Sequence, residues 1–207
     1  MKVDYTYCKI QTMPNALEYE HLLIEQTHLQ WNSKTEKGEE RQLDLYLAIH
    51  PNTTGRIIIN YPGYKGVIDG YENKHRKLAL FMQGENLGAV VRGKGPGFSD
   101  FEGFTVETQL RKMIEYSLEN ALFISGVENP ELLLIGTSAG GGAAATIAVE
   151  YPAVSRILLM APGANGKVEA LRNFTGEVFI VIGENDNVVG TLSGNYFYSL
   201  AINASKR

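Results

Sequence analysis

Five short runs in this chain are almost uninterruptedly apolar, and they set the fold class before anything else is considered. They sit in RIIINYPG (56–63), GAVVRGKG (88–95), LLLIGTS (132–138), RILLMAPG (156–163) and EVFIVIGEND (177–186). A strand with one wet face alternates apolar and polar residues; a strand apolar throughout is expected where helices cover both faces. Helical patterns stand between these runs. One lies near 71–84, and a longer one near 104–125 carries Val106, Leu110, Met113, Ile114, Leu118, Ala121 and Leu122 at three-to-four-residue spacing. A small-residue helix over 139–150, a short turn near 167–172 and a last helix beyond the fifth run complete the series. Alternation of this kind predicts an α/β fold, a doubly wound and mostly parallel sheet. The N-terminal third differs. HLLIEQTHLQW (21–31) and RQLDLYLAIH (41–50) alternate, and the polar NSKTEKGEE between them predicts a hairpin, so the sheet begins with antiparallel strands.

Composition narrows the class of function. The 207 residues are 44% hydrophobic and 20% charged, which fits one domain over 1–207 with a sizeable core. A net charge of −4 with scattered Lys and Arg provides no dense basic patch to displace counterions from a nucleic acid. Cys8 is the only cysteine, which suits a reducing compartment. The opening MKVDYTYCKI lacks the apolar segment of a signal peptide, and no run of about 18 apolar residues could span a bilayer. The sequons at Asn52, Asn173 and Asn203 therefore read as chance. The expectation is a cytoplasmic protein with neither nucleic acid nor membrane as partner; its oligomeric state is not legible.

In such sheets the chemistry sits at the carboxyl ends of the strands. The third apolar run ends in Gly136-Thr137-Ser138-Ala139-Gly140 and opens the small-residue helix. A serine at the apex of a strand-to-helix turn adopts a strained backbone, and residues two positions away must lack side chains. The helix N-terminus behind it offers N–H groups to a developing oxyanion. The alternative is a serine that only caps the helix. The first run ends in Pro62-Gly63-Tyr64. The N–H groups of Tyr64 and Ala139 are the expected oxyanion donors, with Gly63 as the near alternative and a plain Pro-Gly turn as the rival reading. The fifth run ends in GENDNVVG, where Asp186, in preference to Glu184, could orient a histidine; a turn residue is the other reading.

Together, Gly136-x-Ser138-x-Gly140, Pro62-Gly63-Tyr64, RGKGPGFSD and GENDNVV resemble the α/β-hydrolase superfamily from about residue 40 onward. The Ala-Gly-Gly after the serine is similar to that of esterases and lipases. The resemblance implies a serine hydrolase with Ser138 as nucleophile, Asp186 as acid and a histidine last in chain order. Here the chain departs from the pattern. His21, His28, His50 and His75 all precede Ser138, and only 21 residues follow Asp186. A further helix, strand and connections would need roughly 25. The expectation is a chain shortened at its C-terminus relative to the functional protein, lacking the last strand and its histidine. His75, beside Lys74, Arg76 and Lys77, is expected on the solvent face of its helix, and the other three histidines in structural or solvated places.

Two motifs are decoys. GAVVRGK (88–94) opens like a phosphate-binding loop, but its middle is a buried strand and Gly95 stands where Ser or Thr would hold magnesium. GKGPGF has Phe98 in place of the third glycine of a dinucleotide site. No His, Cys and carboxylate cluster has metal-ligand spacing, so neither metal nor cofactor is expected. No insertion follows RILLMAPG, so no lid is expected, and GNYFYSL reads as core packing. Two functions follow: a serine hydrolase of a small ester-type or related acyl substrate, or a catalytically inactive protein of the same fold that binds a small ligand.

Overall fold

The computed structural model describes residues 16–34, 37–95 and 105–204. Cys8, the segment from Pro96 to Asp100 within RGKGPGFSD, and Ser205 of the third sequon lie outside the described residues. Seven strands form one sheet: β1 (Glu25–Lys34), β2 (Glu40–His50), β3 (Arg56–Tyr61), β4 (Ala89–Gly93), β5 (Glu131–Thr137), β6 (Val154–Met160) and β7 (Glu177–Val181). Their order across the sheet is β1-β2-β4-β3-β5-β6-β7. β1 and β2 form the expected antiparallel hairpin, β2 also runs antiparallel to β4, and all remaining pairs are parallel.

Burial along β2 shows why its sequence changes character midway. From Leu43 to Leu47 buried and exposed residues alternate, whereas Leu47 to His50 are all buried. The switch falls where the strand begins to pair with β4, through Leu47↔Gly93 to His50↔Val90, and helices cover both of its faces.

Among the described residues, four α-helices lie between strands, α1 (Lys74–Gly84), α2 (Val106–Glu119), α3 (Ala121–Ser125) and α4 (Ala139–Ile147), and α5 (Thr191–Ala204) follows β7. The single helix expected over 104–125 is thus two. Asn120 leaves the helical region at φ −109° and ψ 20°. Its side-chain amide donates to the carbonyl of Tyr116 at 2.9 Å. Asparagine competes with the backbone in this way, which is why it punctuates helices. At the other end, Thr105 accepts from the N–H of Thr108 at 3.1 Å and caps α2.

The main core lies between one face of the sheet and α2, α3, α4 and α5, with Ile57, Ile59, Tyr61, Met113, Leu132 and Leu134 at its centre. α1 covers the opposite face through Ala79 and Met82, against Ile58, Val90 and Ile135. Beyond α1 that face thins out: Phe179 and Val181 on β7 are each 53% exposed. Ile59 is fully buried. Ile59→Ala is expected to cost about 2–5 kcal/mol, while Phe179→Ser should stay within about 0.5 kcal/mol of the parent. Urea denaturation of the two variants checks the contrast.

Candidate active site

β5 meets α4 at Ser138, and the backbone there is unusual. Ser138 has φ 54° and ψ −121°, the only non-helical residue between the strand and a helix whose nine residues are all buried. A positive φ on a side chain with a Cβ is strained and persists only when its surroundings enforce it. The end of β6, the loop after it and the first turn of α4 do so. The N–H of Ser138 donates to Met160 O at 3.0 Å, while its carbonyl accepts from Gly141 at 2.9 Å and Gly163 at 2.9 Å.

Glycines make this crossing possible. A Cβ on Gly136 would strike the carbonyl of Gly140, and one on Gly140 would stand 2.5 Å from Tyr61 O and 2.6 Å from Pro62 O. One on Gly141 would lie 2.9 Å from Pro162 Cβ, and one on Gly142 would strike Gly163 O. The pattern glycine, serine, glycine is therefore enforced by backbone on both sides of the serine. No cap is made by the serine's side chain. That sets aside its reading as a helix cap.

The loop after β3 covers the serine. A Cβ at Gly63 would lie 2.8 Å from Ser138 Cβ and 3.2 Å from its Oγ, so the α-carbon of Gly63 faces the hydroxyl. The carbonyl of Gly63 accepts from Gly66 N–H at 3.0 Å in a turn whose third residue, Lys65, has φ 55°. The Tyr64 side chain is half exposed beside it, and Ala139, at the first turn of α4, is buried. Gly63, Tyr64, Ser138 and Ala139 are thus brought together at the carboxyl ends of neighbouring strands.

Asp186 follows β7, two strands from β5. Its Oδ1 accepts from Val188 and Val189 N–H groups at 2.9 and 2.8 Å. The amides of Val189 and Val188 hold its carboxyl below the usual carboxylate range. One oxygen therefore organises the turn that leads into α5. Glu184 is exposed.

No histidine hydrogen-bonds Ser138 among the described residues. His28 is exposed on β1, where it pairs with Asp44 at 3.0 Å and stacks on Tyr46. His21 is exposed ahead of β1. His75 departs from expectation: it is not on the solvent face of α1 but half-buried, its Nδ1 3.3 Å from the Asn60 amide of β3. The charged neighbours in its sequence suggested exposure, yet the turn of helix placed that one position toward the sheet. Burial holds its pKa below that of a free histidine.

His50 is fully buried, and its Nε2 accepts from Arg92 Nε at 2.9 Å. Arg92 is itself 1% exposed and donates through Nη1 to Ile68 O and to Asp69 Oδ1, each at 2.7 Å. Burial, then the Arg92 cation, push His50 down to about 3. It is a neutral acceptor whose proton sits on Nδ1. That atom and Gln83 Oε1, a complementary acceptor, are both buried without a hydrogen-bond partner. This network was invisible to motif reading. One signal did point to it: a lone arginine inside the apolar run AVVRG must be paired if the strand is buried.

Among solved structures, the chain is similar to an esterase of Pyrococcus furiosus, with a TM-score of 0.63 at 16% identity over 84% of this chain and 77% of that one. A carboxyl esterase of the fungus Tuber melanosporum gives 0.62 at 14% identity over 87% and 73%. The chain has the α/β-hydrolase fold. No family model matches it. Two curated relatives from Comamonas testosteroni are each 28% identical. One, a 2-hydroxy-6-oxo-6-phenylhexa-2,4-dienoate hydrolase, matches over 138 residues, 65% of this chain and 46% of its own length. The other, a 2-hydroxy-6-oxononadienedioate/2-hydroxy-6-oxononatrienedioate hydrolase, matches over 57% and 41%. The chain spans less than half the length of these relatives. No helix among the described residues of this α/β-hydrolase fold is long and apolar enough to cross a membrane.

Two outcomes are expected. Gly140→Ala drives a methyl into two backbone carbonyls and should lower stability by about 1–3 kcal/mol, read as a fall in Tm of roughly 3–10 °C. Because the folded protein resists protonating His50, the unfolded chain binds more protons below pH 6.5. Stability is therefore full above that pH and declines as pH falls toward about 3, by up to about 1.4 kcal/mol per pH unit. Denaturation midpoints at pH 7, 6 and 5 measure this, and His50→Asn should flatten the decline.

Proposed function

We propose that the protein is a serine hydrolase of ester-type or related acyl substrates. Ser138 Oγ attacks the acyl carbon, a new C–O bond forms, and the carbonyl oxygen gains the charge. The N–H of Ala139 and that of Tyr64 or Gly63 stabilise this oxyanion. Collapse breaks the bond to the leaving alcohol, which takes up the proton lost by Ser138. Water then cleaves the acyl-enzyme by the same route and restores the hydroxyl. Asp186 keeps its role as the acid that would orient a histidine base; none of His21, His28, His50 and His75 is assigned as that base. The observation that carries the proposal is the strained Ser138 with the α-carbon of Gly63 facing its hydroxyl. The hydrolase names of the curated relatives support it.

A second reading has its own observation: no histidine among the described residues pairs with Ser138. An inactive α/β-hydrolase-fold protein would bind a small ligand at the same strand ends without turning it over.

Intact-mass measurement of the purified protein before and after a fluorophosphonate separates the two, alongside turnover of p-nitrophenyl acetate. The hydrolase reading expects one phosphonyl adduct at Ser138, none on Ser138→Ala, and turnover abolished by the same substitution. A protein that takes no adduct, with turnover equal to that of Ser138→Ala, would falsify it and leave the binding reading.

A further inference from the structure

Arg92 is a charged residue buried in the sheet. A guanidinium removed from water loses several kcal/mol of solvation unless charge and hydrogen bonds replace it. Its neighbours Val90 and Val91 show that the strand accepts aliphatic side chains at this depth. The arginine spends two of its donors on one short segment, Ile68 O and Asp69 Oδ1, both at 2.7 Å. That segment ends the loop that began at Pro62 and passed over Ser138. His50 Nε2 takes Nε and fixes the guanidinium plane from the far side.

The rest of the loop is tied to the same strand. The N–H of Gly95, two residues past β4, donates to Gly66 O at 2.7 Å, and a Cβ on Gly95 would strike the carbonyl of Gly63. The carbonyl of Asp69 also accepts from His75 N–H at 2.9 Å, which joins the loop's end to the first turn of α1. Pro62 to Asp69 is therefore held at its start by β3 and along its length by β4.

We propose that Arg92, through Ile68 and Asp69, is a positioning residue that sets the distance of the Gly63-Tyr64 amides from Ser138. This rests on the reading of those amides as oxyanion donors. A donor displaced by about 1 Å no longer matches the transition-state oxygen, and displacements of that size cost up to 10²-fold in rate. Contacts to substrate away from this loop are untouched, so the loss falls on kcat rather than KM.

Arg92→Met leaves Asp69 and His50 without their partner and can fail to fold. Asp69→Ala is the informative variant, because the Asp69 side chain is 40% exposed and its loss empties no core. Steady-state kinetics on p-nitrophenyl acetate, amide hydrogen exchange over residues 63–70 and Tm are measured together. For Asp69→Ala the expectation is faster exchange in that segment, kcat lower by about tenfold and KM within about twofold. Asp69→Asn keeps an oxygen for Arg92 and should recover most of the rate. Unchanged exchange overturns the proposal, as does faster exchange with unchanged kcat. If the unsubstituted protein shows no Ser138-dependent turnover and no fluorophosphonate adduct, the oxyanion reading fails and this proposal falls with it. Ser138-dependent turnover that is indifferent to Asp69 overturns the positioning role alone.

Discussion

At the carboxyl end of β5, three backbone segments approach one another more closely than side chains allow: the first turn of α4, the loop leaving β3 and the loop leaving β6. Gly136, Gly140, Gly141 and Gly63 are the residues that permit it. Their absence of Cβ atoms lets α4 sit directly on the sheet, and the buried alanines of that helix continue the close contact. Ser138 is left as the hydroxyl-bearing residue at the crossing. Its positive φ follows from the need to turn from strand to helix within a single residue. A packing constraint thereby sets the Ser138 hydroxyl against the α-carbon of Gly63, and the chemistry proposed for this site grows from that geometry.

The second organising element is charge buried on the other face of the sheet. Arg92, His50 and Asp69 form a connected set in which a neutral imidazole accepts from a cation that grips the loop. Such a set stabilises little by itself, since desolvation offsets the attraction. Its value is directional: with Nε held by His50, the two Nη1 hydrogen bonds of a rigid guanidinium specify where Ile68 and Asp69 must lie. The α1 face thus carries positional information to the serine side of the molecule through β4 and the loop it holds.

Asp186 illustrates how one residue serves local order and yet keeps chemical capacity. Its Oδ1 is taken by backbone amides of the following turn. The carboxylate is thereby held ionised and fixed in orientation, both of which a residue that orients a histidine requires. Its position after β7, with β6 between it and β5, matches the order in which the strand ends were read from the sequence.

Local chemistry by itself determined a good part of this protein. Runs such as RIIIN and AVVRG announced strands with both faces covered, though EVFIV, apolar in the same way, leaves one face exposed at the end of the sheet. The alternation in RQLDLYLAIH announced an edge hairpin, because side-chain period reports the environment on each face. The Gly136-x-Ser138-x-Gly140 turn was legible for the same reason: only residues without a Cβ tolerate that crossing. The fate of His75 was not legible, since its charged neighbours Lys74 and Arg76 describe one side of a helix and the remaining turn decides which residue faces the sheet. Nor was the partnership of Arg92 with His50 and Asp69, which lie 42 and 23 residues away in the chain. Spacing along a chain carries no record of which distant strands become neighbours. Tertiary structure decided that, because a buried charge takes whichever donors and acceptors the sheet order brings within reach.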